Sequence, residues 1–265
     1  MNTIPGYQIE AVLGRGRCSV VYLALERGRG RKVALKVAGS ARHAAARQPV
    51  DFAREAAAVS AQAASHVIQV FNHGVSGADA YLAMEYAARG SLAGHGASFT
   101  PAAAVSFLGQ AASALDRVHR QGWVHRDVKP ANLLLREDGS LVLADFGCAR
   151  RRGEVDPRES GTVVGTPQYA APEQSAGAAA DPAADVYSLG AVFYWMLAGE
   201  PPFPGQTPVE LLAQHALAPV PRLARGLAHW QPLLDAMLAK DPGQRLPDGQ
   251  AVAGELQRNE IGEPS

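Results

Sequence analysis

The chain has 265 residues, with 25 Lys+Arg against 25 Asp+Glu, 47% apolar and 19% charged residues. That length fits one large domain or two small lobes, and the apolar share excludes a disordered chain. The neutral balance excludes a general binder of nucleic acid or membrane surface, which needs a basic excess. Two cysteines, Cys18 and Cys148, exclude a disulfide framework and a Cys-based zinc cluster, and fit a reducing compartment with two inert thiols. The start, Met1 to Gly6, shows neither a basic nor an apolar signal region, and the most apolar stretch, residues 186–197, is too short to span a bilayer. The expectation is a soluble, cytoplasmic, globular protein.

Residues 7–12, 20–25 and 32–37 read as strands, joined by a glycine-rich turn and by the Arg27-to-Arg31 turn. A helix is expected over 51–64, where Phe52, Ala56, Val59 and Ala63 form one stripe. Apolar runs at 67–71 and 81–84 follow, split by a turn at Gly74-Val75-Ser76-Gly77. Beyond Gly90 the pattern becomes helical. Thr100-Pro101 opens a long helix with a buried stripe of Val105, Leu108, Ala112, Leu115 and His119. Further helices are expected at 183–198, 208–216, 231–239 and 250–258.

The loop Gly14-Arg15-Gly16-Arg17-Cys18-Ser19 is followed by a strand, Val20-Val21-Tyr22-Leu23, whereas a dinucleotide fingerprint must open a helix. A glycine loop between antiparallel strands can instead fold over a triphosphate and offer it backbone N–H groups. Lys36 closes a Val-Ala-Leu-Lys run, and by itself would be an ordinary surface lysine. Glu55 lies roughly 60° from the centre of the apolar stripe of its helix, taking about 100° per residue. At that edge of the buried face a carboxylate needs a cation, and Lys36 would supply one.

The stretch His125-Arg126-Asp127-Val128-Lys129-Pro130-Ala131-Asn132 leads into a hairpin, Leu133-Leu134-Leu135, a turn at Arg136 to Ser140, then Leu141-Val142-Leu143. Closing the hairpin sets Asn132 beside Asp145, with Asp127 near both. Two carboxylates and an amide oxygen form a hard-oxygen site suited to Mg2+ and phosphate. Phe146-Gly147 after Asp145 makes three unrelated turn residues untenable as a reading.

Taken with Ala171-Pro172-Glu173 and Gly165-Thr166-Pro167-Gln168-Tyr169, these motifs resemble a bacterial eukaryotic-like (Hanks-type) serine/threonine protein kinase, from Tyr7 to about Arg258. The resemblance implies an α+β, two-lobed kinase fold: a small β-rich lobe over 1–86 with one main helix, a larger helical lobe over 87–258, and a short tail, 259–265. It implies ATP with Mg2+ (Mn2+ as an alternative), protein substrates with Ser/Thr acceptors, and an option of homodimers for autophosphorylation. Asp127 would orient the acceptor hydroxyl and take its proton, and Lys129 would steady the γ-phosphate. Asn132 and Asp145 would hold the metal, while Lys36, paired with Glu55, would grip the α- and β-phosphates. The nucleotide would be enclosed by Leu13, the loop 14–19, Val21, Ala34, Met84, Glu85, Ala87 and Leu134, with adenine bonded to backbone groups of Glu85 and Ala87. The resemblance also implies that His125 packs on Phe146, that Asp185 braces the catalytic loop, and that Glu173 pairs with Arg245. Arg126 would hold a phosphate on Ser160 or Thr162, unless Asp156 or Glu159 already supplies that charge, and Thr166 would touch Asp127 and Lys129. The stretch 92–98 is shorter and richer in glycine than the resemblance leads one to expect. A nucleotide-binding pseudokinase scaffold is the alternative, but it would be expected to lack Lys36, Asp127 or Asp145. A small-molecule phosphotransferase would not be expected to carry the segment 165–173.

Overall fold

The computed structural model describes residues 4–16, 19–38, 52–60, 65–96, 99–155 and 166–261. Five strands, β1 (Tyr7–Arg15), β2 (Val20–Glu26), β3 (Arg31–Ala38), β4 (Val70–Ser76) and β5 (Asp79–Glu85), form an antiparallel sheet in the order β1-β2-β3-β5-β4. Alternation along β3 divides its side chains between the two faces of the sheet. Val33, Leu35 and Val37 join Ile4, Tyr7 and Ala24 in a small apolar cluster on one face. Ala34 and Lys36 point the other way. Val21 is paired with Lys36 and Met84 with Ala34, so these four line one surface.

Helix α1 (Phe52–Ser60) packs on that sheet through Phe52, Ala56 and Val59 of the expected stripe, while Ala63 and the rest of 61–64 lie outside the described residues. The expected turn at 74–77 is narrower than the sequence indicated. β4 continues through Ser76 and only the Gly77-Ala78 step turns, because Gly77 alone takes a positive φ, 61°. Gly74 stays in the strand, where a Cβ would lie 3.2 Å from the Tyr81 ring.

The second lobe is helical. α2 (Pro101–Arg120) starts as expected, the Thr100 hydroxyl accepting from Ala103 N at 3.2 Å. Its buried face is broader than the predicted stripe, taking in Ala104, Ala111, Ala114 and Val118, while Val105 is only half-buried. The alanines allow closer packing than periodicity of large residues suggests. Short strands β6 (Trp123–Val124), β7 (Leu133–Leu135), β8 (Leu141–Leu143) and β9 (Arg150–Arg151) follow, β6 pairing with β9 and β7 with β8. After α3 (Pro172–Ser175) comes α4 (Pro182–Ala198), buried without a break from Pro182 to Met196, the centre of this lobe. α5 (Pro208–Leu217), α6 (Gln231–Met237) and α7 (Gly249–Ile261) complete it, the last running beyond Arg258. No helix among the described residues is long and apolar enough to cross a membrane.

The two lobes share one apolar core, from Phe52 and Met84 through Leu143 and Phe146 to the helices. They are also stitched by backbone. Ile68 N donates to Leu143 O and Leu143 N to His66 O, both at 2.9 Å. The cleft between them is therefore walled by β-sheet above and by the β7–β8 hairpin below.

Candidate active site

The cleft has a volume of about 540 Å3, and its walls include Leu13, Gly14, Val21, Ala34, Met84, Ala87 and Leu134. Glu85, Lys36, Glu55, Asn132 and Asp145 also reach it. Arg15, Gly16 and Ser19 do not line it; Gly16 N instead donates to Ser19 O at 2.8 Å, closing the loop on itself. Arg17 and Cys18 lie outside the described residues. Glu85 N is committed to Gln69 O at 2.8 Å, so of its two backbone groups only the carbonyl could meet a ligand. Ala87 is buried, yet its N–H has no partner among the described residues. A buried, unsatisfied donor at an apolar slot calls for an acceptor on a bound molecule.

At the back of the cleft, Lys36 Nζ donates to both Glu55 oxygens at 2.9 Å and to Asp145 Oδ1 at 2.7 Å. Burial alone would lower the Lys36 pKa, but Asp145 and Glu55 outweigh it and hold the ammonium above its usual value. Burial pushes the Glu55 carboxyl up, opposed by Lys36. Lys36 draws the Asp145 carboxyl down to about 2, against the effect of burial, and that side chain stays 46% exposed towards the cleft.

The second group is built on the catalytic loop. Asp127 Oδ2 accepts from Lys129 Nζ at 2.6 Å and from Asn132 Nδ2 at 3.1 Å. Thr166 joins them, its hydroxyl accepting from Lys129 Nζ at 2.8 Å and donating to Asp127 Oδ1 at 3.3 Å. The Asn132 amide also donates to Asp127 O at 2.8 Å, which directs its Oδ1 away from that bond. Ala144 N donates to Asn132 O at 2.9 Å, so the hairpin closes where expected, with Asn132 next to the chain entering Asp145.

Asp185 is fully buried and receives His125 N and Arg126 N at 2.7 Å each, and His119 Nε2 at 2.9 Å. Burial alone would raise its pKa; the His119 bond and the Arg126 N–H outweigh that and hold it low. The His125 ring stands edge-on to Phe146 with centroids 4.7 Å apart, and its Nε2 donates to Ala144 O at 3.0 Å. It is architecture, not a base. Glu173 and Arg245 meet in a two-pronged ion pair, at 2.6 and 3.2 Å. Burial pushes the Cys148 thiol up to about 12, which disfavours the reactive thiolate.

Several features had no clear sequence signal. Arg126 and Asp145 are the non-glycine residues with positive φ among those described, at 68° and 63°. Such backbones persist only where the surroundings impose them. At Arg126 the restraint is Asp185 on the N–H and Gln174 Nε2 on the carbonyl, the latter at 2.9 Å. By sequence Arg136 is a turn residue. Its guanidinium binds Glu85 with both Nε and Nη2, and Nη1 donates to Ser65 O at 2.5 Å, tying the lower hairpin to the upper lobe. Within the stretch 92–98, residues 92–96 form a 3-10 turn, Leu92–His95, ended by Gly96 at φ 67°, and 97 and 98 lie outside the described residues. The expected phosphorylation sites Ser160 and Thr162, and the alternative acids Asp156 and Glu159, lie outside the described residues.

Over residues 7–255 the sequence matches the family described as protein kinase domain. The chain belongs to that family. Among its relatives, a serine/threonine-protein kinase named drp72 of Corynebacterium efficiens is 34% identical over 258 residues, covering 94% of this chain and 50% of the relative. PknL of Mycobacterium tuberculosis, also named a serine/threonine-protein kinase, is 34% identical over 259 residues, 95% of this chain and 65% of PknL. PknB of the same species is 36% identical over 275 residues, 97% of this chain and 43% of PknB. The chain thus spans between 43% and 65% of the length of these curated relatives. Protein kinases as a family use ATP and a divalent metal ion, and the two polar groups just described are the parts of the cleft with chemistry to meet them.

Proposed function

We propose that the chain is an active serine/threonine protein kinase that transfers the γ-phosphate of ATP to Ser/Thr hydroxyls of proteins, itself included. The observation that carries this reading is the pairing of one bonded group, Lys36, Glu55 and Asp145, with a second, Asp127, Lys129, Asn132 and Thr166, the two joined where Ala144 N donates to Asn132 O. Adenine fits the apolar slot between Val21 and Ala34 above and Leu134 below, accepting from Ala87 N–H and donating to Glu85 O. Lys36 is held cationic and lines the cleft, so its ammonium can turn from Asp145 to the α- and β-phosphates while Glu55 keeps hold of it.

The acceptor hydroxyl would approach Asp127 Oδ1, which is less tightly engaged than Oδ2, and give it the proton as oxygen attacks the γ-phosphorus. The bond to the β-phosphate oxygen breaks and ADP leaves, with Lys129 balancing charge on the transferred group. Asn132 Oδ1 and the Asp145 carboxylate are hard oxygen donors that suit Mg2+, which would neutralise phosphate charge there. The pair is too small a set to hold the ion alone, and among the described residues no group of three or more acidic, His or Cys side chains converges. Phosphate oxygens would complete the shell. A scaffold that had given up turnover would have no need of Asp127, Lys129 and Thr166 in register.

ATP with Mg2+ is expected to raise the melting temperature, by mass action on the native state. Binding alone would also suit a scaffold, so the deciding measurement is transfer of labelled γ-phosphate by the wild type against Asp127→Asn. Equal rates would refute the proposal. We further expect phosphate on Ser160 or Thr162 in the active protein, recruiting Arg126 through ~1.5 to 2 added negative charges. Mass spectrometry reads the site, and full activity of the Ser160→Ala/Thr162→Ala double variant would leave Arg126 a structural residue only.

A further inference from the structure

We propose that Glu154 is a positioning residue for phosphotransfer: an acidic side chain encoded in the chain, which holds helix α1 through Arg54 and so sets Glu55 against Lys36. Arg54 Nη2 contacts both Glu154 oxygens, at 2.6 and 2.5 Å, across 100 residues of sequence. Arg54 immediately precedes Glu55 on α1, so a displacement of one moves the other.

The other end of the pair is firmly placed. Glu154 Oε2 accepts from Arg151 N at 3.0 Å, and Glu154 N donates to Arg151 O at 2.9 Å. Arg151 belongs to β9, which is paired with β6 and has its guanidinium 4.3 Å from the centre of the Trp123 ring. Glu154 O accepts from Ala180 N at 2.9 Å, and Gly153 N donates to Ala180 O at 2.8 Å. Ala180 adjoins Asp181, which caps α4 by accepting from Ala183 N at 2.9 Å. One turn into α4 stands Asp185, the acceptor for the catalytic-loop N–H groups. A continuous run of bonded elements therefore joins the loop bearing Asp127 to the helix bearing Glu55. Isolated surface ion pairs contribute little. Here both side chains are 31% exposed, and the acid is anchored by its own main chain, so less side-chain freedom is lost in making the contact.

The inference rests on the cleft being an ATP site, and the test separates the two. Glu154→Gln removes the charge but keeps an oxygen for Arg151 N–H, which spares the local fold. Glu154→Gln, Arg54→Gln and the double variant are compared with the wild type for kcat/KM of ATP and, by calorimetry, for ATP·Mg2+ affinity. All are measured well below every variant's melting temperature. Each single change is expected to lower kcat/KM about fivefold and to weaken binding, with the double variant no worse than either single one. Losses that multiply, to about 25-fold, would overturn the proposal. So would a Glu154→Gln variant that matches the wild type. A wild type that binds ATP without turnover would refute the kinase reading alone, because the affinity cycle still reports the placement of Lys36.

Discussion

Asp145→Asn and Lys36→Met are each expected to lower phosphotransfer by at least about a hundredfold. Their structural consequences should differ. The Asp145 side chain is 46% exposed, and its amide keeps an oxygen for Lys36, so Asp145→Asn should melt near the wild type. Lys36→Met strands Glu55, which is 3% exposed, without its cation. A charge left alone in such a place is expensive, and the group escapes by taking up a proton. Burial already pushes the Glu55 carboxyl up, so Lys36→Met should fold with a neutral Glu55 and be less stable than wild type at neutral pH. With the carboxyl taking its proton above the unfolded value, that deficit should shrink as pH falls towards the ordinary Glu range, about 4.3. Activity is read with labelled ATP and Mg2+ as the metal, and stability by thermal melting across pH. Near wild-type transfer in either variant would remove the assigned roles.

What the sequence made legible follows from where its signals are local. The Lys36–Glu55 pair could be expected because helical geometry puts Glu55 at the rim of an apolar stripe, and that rim faces β3. The hairpin from Leu133 to Leu143 could be expected because its Asp138-Gly139 turn and its two apolar triplets are adjacent in the chain. Arg54–Glu154 and Arg136–Glu85 were not legible. Both are charged residues among many, and their partners are 100 and 51 positions distant. No periodicity or motif distinguishes a surface arginine from one that joins two lobes. The left-handed backbones of Arg126 and Asp145 were equally hidden, since the contacts that impose them form only on folding. Gln174 illustrates the same limit. Its place next to Pro172-Glu173 is plain in the sequence, but its bond to Arg126 O depends on α3 packing against the catalytic loop.

Asp185→Ala is expected to cause the largest loss of stability of any single change at the site, about 3 kcal/mol or more. The carboxylate is 0% exposed and ends three donors: His125 N, Arg126 N and His119 Nε2. Alanine leaves all three buried without an acceptor, and each such group costs ~1 to 3 kcal/mol. It also removes one of the two bonds that impose the positive φ on Arg126, which should let the backbone relax and swing Asp127 out of register. Activity should therefore fall further than the unfolded fraction accounts for. Asp185→Asn separates charge from shape. It keeps one oxygen, so it should be less damaging than alanine, yet its amide nitrogen must face at least one N–H donor. The pH dependence has a definite sign. The native structure holds the Asp185 pKa below the ordinary Asp value of about 3.9. Its ionised form therefore contributes stability that is fully present above that pH and is lost as pH falls through the lower folded value. The gap in melting temperature between wild type and Asp185→Asn should be widest at neutral pH and should narrow below about pH 4. A constant gap down to acid pH would mean that the Asp185 charge is not what braces the catalytic loop.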